Sequence, residues 1–357
     1  MQSGWQGAGM KIAQSAAALL ALSVPLAAQD DAPAPVTPGS AIAGASDEEW
    51  RTIDADDLLV MDLAPAANGD ERRVIIQLMP APISEAWTDN IRTLARARWY
   101  DGISVVRVQD NYVVQWGDPN NDNPTADGPA KPLPDGMKET SEDDYMVTSL
   151  HDYGVGSVVQ FQRGWTDIAE YGRQQGYDIP KYTDFTTPMA GRDAYAGFVS
   201  FYEGFPIAGL VYPDALFNWP VHCYGMVGVG RSLSPDAGTG AELYTVIGHA
   251  PRHLDRNIAV VGRVVEGIEH LSSLPRGTGP LGFYETAEER VPIVSVRLAA
   301  DMGAGDRPQF EYLSTDSASF AAYVKARANR QDDFFIQPAG GADICNLPVP
   351  IRRTGTE

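Results

Sequence analysis

Between residues 58 and 117 short apolar runs alternate with tight turns around one stretch of helical periodicity, an order that few folds accept. Leu58 to Leu63 and Val74 to Met79 are strand-like and flank Asn68-Gly69-Asp70, a hairpin signal. Ser84 is placed to cap a helix in which Trp87, Ile91, Leu94 and Ala95 recur at helical spacing, ending near Trp99. Tyr100-Asp101-Gly102 turns the chain, and Ile103–Val108 and Tyr112–Gln115 read as two buried strands around Gln109-Asp110-Asn111. The order is therefore strand, strand, helix, strand, strand, and Arg107 stands alone as a charge among Val105, Val106 and Val108. By itself such an arginine reads as an exposed edge charge or a structural ion pair.

Composition narrows the function classes. The chain has 357 residues, 44% hydrophobic, enough to bury a core in one large or two small domains. Its net charge of −20 makes nucleic acid and anionic membrane surfaces poor partners. Cys223 and Cys345 are the only cysteines, and without a CxxC pair they exclude a zinc ribbon, an iron–sulfur cluster or a dithiol redox centre. His249 and His253 are four apart, but Pro251 lies between them and no HExxH is present, so a loop pair without metal is expected. Gly228-Val229-Gly230 lacks the third glycine and the βαβ setting of a dinucleotide fingerprint.

Lys11, the Ala- and Leu-rich run Ile12–Val24, Pro25 and the small residues Ala27 and Ala28 have the form of a signal peptide over residues 1–28. Export to a periplasm or outside the cell is expected, with no membrane span after the signal is removed, since the run is too short for a stable anchor. In an oxidising compartment Cys223 and Cys345 are either paired or two separate buried thiols, which spacing does not decide. Residues 29–49, rich in Pro, Ala and Gly, are expected to form a flexible linker.

The segment VIIQLMPAPISEAWTDNIRTLARARWYDGISVVRVQDNYVVQWGDP, residues 74–119, resembles the cyclophilin-type peptidylprolyl isomerases. The resemblance continues in GMVGVG (225–230), AGTGAELYTVIG (237–248), LDRNIAVVGRVVEGIEHL (254–271) and Val291–Leu298. It implies a closed eight-stranded antiparallel β-barrel capped by two helices, spanning residues 50–302. An insertion at about 120–220 interrupts it, and its large apolar residues, among them Trp165, Ile168, Tyr171, Phe198, Phe201 and Trp219, predict partial order. Residues 303–357 form an extension with one capped helix over Ser317–Arg330.

The resemblance also implies site residues. The family's catalytic arginine falls on Arg107, its pocket phenylalanine and methionine on Tyr112 and Val113, and its substrate-binding glutamine on Gln115. Gly230 and Arg231 replace an Ala-Asn pair, Glu242 a glutamine and Tyr244 a second pocket phenylalanine. His253 stands at the variable tryptophan position, Leu254 is kept, and Ile258 replaces a frequent histidine. Tyr244 adds a hydroxyl that needs a partner, and Glu242 is placed to pair with Arg107 or Arg231. The chemistry implied is isomerisation of X-Pro bonds in folding exported proteins, a reaction that requires no nucleophile, metal or cofactor. The partners implied are proline-containing polypeptides, and closure of the barrel predicts a monomer. The competing expectation is a non-catalytic barrel that binds proline segments or a partner protein.

Overall fold

In the computed structural model the described residues are 36–121, 123–148, 193–211 and 216–354. The expected signal peptide lies outside them, as do Trp165, Ile168 and Tyr171. The chain begins with α1 (Pro38–Ala43) and β1 (Trp50–Thr52), followed by β2 (Leu58–Leu63) and β3 (Arg72–Leu78). These two pair in register from Leu58↔Gln77 to Leu63↔Arg72. Gly69 closes the turn between them at φ +90°, a conformation that disfavours any side chain. Next come α2 (Glu85–Arg96), β4 (Ser104–Val108) and β5 (Val113–Gly117). Ser84 does not cap α2: it adopts φ 52°, and its hydroxyl instead donates to the Val260 carbonyl at 2.8 Å.

The inserted segment contributes β6 (Val147–Thr148), β7 (Phe198–Tyr202), β8 (Phe205–Val211) and β9 (Leu216–Pro220), a separate sheet in the order β6-β9-β8-β7. The remaining elements are β10 (Met226–Val229), β11 (Leu243–Val246), β12 (Val260–Glu266), α3 (Glu269–Ser272), β13 (Val291–Leu298), β14 (Phe310–Leu313), α4 (Ala318–Ala328) and β15 (Ile351–Arg353). Eight strands close a barrel in the order β10-β11-β5-β4-β13-β2-β3-β12. The helix expected after Glu266-Gly267 is four residues long, because Pro275 and Gly277 follow at once and end it.

Two hydrophobic clusters explain why β2 and β3 are almost continuously apolar rather than alternating. Leu59, Met61, Val74 and Ile76 join Trp87, Ile91 and Leu94 of α2 in one cluster. Leu58, Val60 and Ile75 belong to a second, with Phe201, Phe205 and Trp219 of the insertion and Phe310, Phe320 and Tyr323 of the extension. Both faces of the hairpin are thus covered, which is the condition under which a strand loses its polar face.

The extension and the region before the barrel fold together. β14 pairs with β1 on one side and β15 on the other, and α1 packs against α4. The flexible linker expected over 29–49 is therefore corrected for its described part. Thr37 and Ser40 form a capping box at the start of α1, and Ala41 is buried in the second cluster. Cys223 and Cys345 form a disulfide across 122 residues of sequence, tying the start of β10 to the extension.

Candidate active site

Arg107 is aimed by an irregularity that alternation alone does not foresee. The β4–β5 register shifts between Val105 and Arg107, so Val106 is the extra residue of a bulge and Arg107 lies opposite Gln115. The guanidinium is half-buried, and Nε donates to the Leu281 carbonyl at 2.8 Å. One terminal nitrogen donates to Gln115 Oε1 at 3.2 Å, and the other donates to Gln109 Oε1. Its central carbon lies 5.6 Å from the Tyr112 ring centroid and 5.3 Å from that of Phe283. Burial lowers the arginine's pKa, which the neighbouring Tyr112 partly offsets. An arginine tolerates such lowering with its charge intact.

A relay runs from this group into a groove. Gln115 Nε2 donates to Glu242 Oε2 at 3.0 Å, and Asn121 Nδ2 donates to Glu242 Oε1 at 3.3 Å. Glu242 is buried against Gly117, where an added Cβ would approach its carboxyl carbon to 2.6 Å. Arg107, Gln115, Gly230, Arg231 and Glu242 line a groove of about 420 Å³ that extends to Trp99 and Lys131. Arg231 is held by backbone carbonyls: its guanidinium donates to Asn257 O from Nε at 3.0 Å and from a terminal nitrogen at 2.8 Å, with a third bond to Ser232 O at 2.7 Å.

The apolar half of the site is separate from both main clusters. Val113, Tyr244 and Val246 are buried together with Tyr112 and Ile258 packed against them. Burial pushes the Tyr244 phenol well above its usual range. Its hydroxyl lies 2.7 Å from His222 Nε2, so the polar tip that the sequence flagged is satisfied away from solvent. The ring also lies close on Gly228, where an added Cβ would come within 2.3 Å of Tyr244 Oη. Gly228→Ala is therefore expected to push the ring against Val113 and Val246, weaken substrate binding and reduce stability by about 1–3 kcal/mol. Denaturant unfolding and a KM measurement check this together, and wild-type values for both would show that the ring has room.

Of the residues singled out in the sequence, Arg107, Gln115, Gly230, Arg231 and Glu242 meet in the groove, and Tyr112, Val113, Tyr244 and Ile258 meet in the apolar cluster. His253 and Leu254 lie on the turn Arg252–Leu254, the first exposed and the second half-buried. Sequence reasoning missed Gln109, Leu281, Phe283 and His222. Gln109 belongs by sequence to a turn, although its position two residues beyond Arg107 is a local signal. Phe283 stands beside Tyr284 in a Gly- and Pro-rich stretch far along the chain, and nothing local marks it for the site.

A family model described as cyclophilin type peptidyl-prolyl cis-trans isomerase matches residues 68–298. No curated protein matches the chain. Among solved structures, cyclophilin AquaCyp293 from Hirschia baltica superposes with a TM-score of 0.57 at 21% identity, covering 90% of this chain and 99% of that one. A Cryptosporidium parvum cyclophilin type peptidyl-prolyl cis-trans isomerase, in the presence of dipeptide ala-pro, gives a TM-score of 0.33 at 10% identity, with 68% of this chain and 98% of that one covered. The first likeness shows the fold, and the second adds no argument.

Proposed function

Because the chain belongs to the cyclophilin-type peptidyl-prolyl cis-trans isomerase family, we propose that Arg107 carries its reaction by stabilising a twisted X-Pro amide, and that its substrates are exported proteins as they fold. Rotation about a peptide bond is opposed by resonance worth roughly 18–20 kcal/mol. Twisting removes that resonance and returns a lone pair to the prolyl nitrogen, so a fixed donor beside the bond favours the twisted form over the planar one. Apolar walls hold the proline ring while the other half turns.

One observation carries this reading. Among the described residues, three donors of Arg107 are engaged, by two side-chain amide oxygens and one carbonyl, and none by a carboxylate. A guanidinium has five N–H groups in a rigid fork, so two remain for substrate while the other three fix its plane. Tyr112 belongs both to the apolar cluster and to the surroundings of the guanidinium, so the cluster and the cation are adjacent.

An arginine does not titrate near neutrality. Turnover of bound substrate is thus expected to be level from neutral to mildly alkaline pH. A kcat that falls over that range would identify a titrating acid or base and overturn the arginine mechanism.

Export is supported by the signal-like run of residues 12–24 and by the Cys223–Cys345 disulfide, a bond that persists in oxidising compartments. A periplasmic or secreted location gives the activity a use, since unaided prolyl isomerisation takes about 10–100 s and limits folding. We place the protein there as a monomer acting on proline-containing polypeptides. Refolding of an exported protein with a proline-limited slow phase is the test. The slow phase should accelerate at a small molar ratio of enzyme. Turnover of a short X-Pro peptide without that acceleration would overturn the folding-substrate reading. Residues 1–28 fused to a reporter active only outside the cytoplasm should switch it on, and a silent fusion would overturn export.

A further inference from the structure

From the apolar cluster of Val113, Tyr244 and Val246 a chain of buried polar groups leads to the insertion. His222 Nε2 meets the Tyr244 hydroxyl at 2.7 Å, and His222 Nδ1 meets Asp255 Oδ1 at 2.8 Å. Asp255 Oδ2 accepts from Arg252 Nε at 2.6 Å, and the two terminal nitrogens of Arg252 donate to Asp193 at 2.6 and 2.9 Å. Every side chain in the series is at most 5% exposed. Asp193 lies five residues before β7, on the insertion's return to its sheet, and the ring of Tyr195 sits 5.1 Å from the Arg252 guanidinium.

We propose that Asp193 is a positioning residue: through Arg252, Asp255 and His222 it fixes the Tyr244 ring as a wall of the proline site, so that proline binding by the barrel depends on the insertion. This rests on the reading of that apolar cluster as the proline site.

The directions of the bonds follow from the chemistry. An ionised carboxylate only accepts, so Nδ1 of His222 carries the proton and Nε2 is left to accept from Tyr244. Asp255 is held ionised: burial alone would raise its carboxyl, but His222 and Arg252 more than offset this and keep it below its usual value. Arg252 bridges two carboxylates, one from the barrel loop and one from the insertion. Removing the Asp193 charge leaves its guanidinium half-partnered in a low dielectric, where the shift of one bond is felt by the next. The Tyr244 ring is stacked parallel to His222 at 6.2 Å and has Gly228 beneath it, so its placement follows the imidazole. Among the described residues, the charged or titratable groups facing His222 are Asp255, Arg252, His253 and Tyr244. Burial, the largest influence, lowers the histidine's pKa, so it stays neutral until the solution is acidic. Once protonated, Nε2 no longer accepts, and the buried hydroxyl loses its acceptor.

The test is a double-mutant cycle on the full chain, reading KM and kcat for a chromogenic X-Pro peptide and the Kd of the same peptide. Asp193→Asn should raise KM and Kd about fivefold, with a smaller change in kcat, because the coupling runs through contacts that each carry a fraction of such an effect. In a Tyr244→Phe background the same substitution should change neither, since the hydroxyl through which it acts is gone. A pH series gives a second reading that does not need Asp193→Asn to fold. KM should rise in acid for the unmodified chain, and that rise should vanish in Tyr244→Phe. Equal effects of Asp193→Asn in both backgrounds, or an acid rise that survives Tyr244→Phe, would overturn the proposal while leaving the isomerase reading in place. An unmodified chain that neither turns over nor binds the peptide would overturn both.

Discussion

Arg107→Ala is expected to lower kcat/KM for an X-Pro peptide by about 10²–10³-fold, the usual consequence of removing a fixed donor from a developing charge. The loss should lie mainly in kcat, because the apolar cluster of Val113, Tyr244 and Val246 that would hold the proline ring is untouched. Arg107→Lys should recover little. A lysine keeps the charge but has no planar fork, so it cannot meet Leu281 O, Gln115 and Gln109 together and still face substrate. Lysine also lacks the flat face that lies between Tyr112 and Phe283. Neither variant should unfold the barrel, because Leu281 is exposed and Gln109 and Gln115 are only half-buried, so the acceptors released can turn to solvent. Peptide kinetics beside a thermal melt separate the two effects. Activity within a few-fold of wild type in a folded Arg107→Ala protein would remove the arginine from the mechanism.

The largest effect on stability is expected at the disulfide. Opening a bond that closes 122 residues restores denatured-state freedom worth about 4–5 kcal/mol on the chain-entropy account, and measured losses for native disulfides run at roughly 2–5 kcal/mol. Cys345→Ser should therefore lower the denaturant midpoint markedly, and a reducing agent should do the same to the wild type but not to the variant. The extension should loosen before the barrel. The sheet β1-β14-β15 is open at both edges and meets the rest through the second hydrophobic cluster, the Arg353–Glu266 ion pair, the Tyr312–Glu203 hydrogen bond and the disulfide, whereas the barrel closes on itself with every strand paired on both sides. Peptide turnover by Cys345→Ser at low temperature should persist, which distinguishes loss of stability from loss of the site. Identical midpoints for oxidised, reduced and substituted protein would show that the bond constrains nothing.

Much of the barrel was legible because its signals are local. Asn68-Gly69-Asp70 between two apolar runs, and Trp87, Ile91 and Leu94 at helical spacing, are patterns a few residues long that act the same way in any setting. Arg107 and Gln115 were singled out through the resemblance, and the bulge at Val106 that sets them opposite one another has no local signal. Ser84 misled because capping depends on its own backbone angles, and here the residue is held at φ 52° by contacts with β12. The helix α1 was hidden as well. A Pro- and Ala-rich stretch has little tendency to fold alone, and it orders here through its cap and through packing against α4, which lies far along the chain.

By itself the sequence determined the strands and turns between residues 58 and 117 and that one arginine rides on an apolar strand, because steric and hydrophobic preferences act over a few residues. Only the tertiary structure decided how that arginine is aimed and what surrounds it. The bulge at Val106, the carbonyl of Leu281, the ring of Phe283 and the chain from Tyr244 to Asp193 join segments that approach one another only when the barrel closes. Hydrogen bonds and ring contacts of this kind depend on distances of a few ångströms, and a linear sequence carries no record of which distant residues will be brought that close.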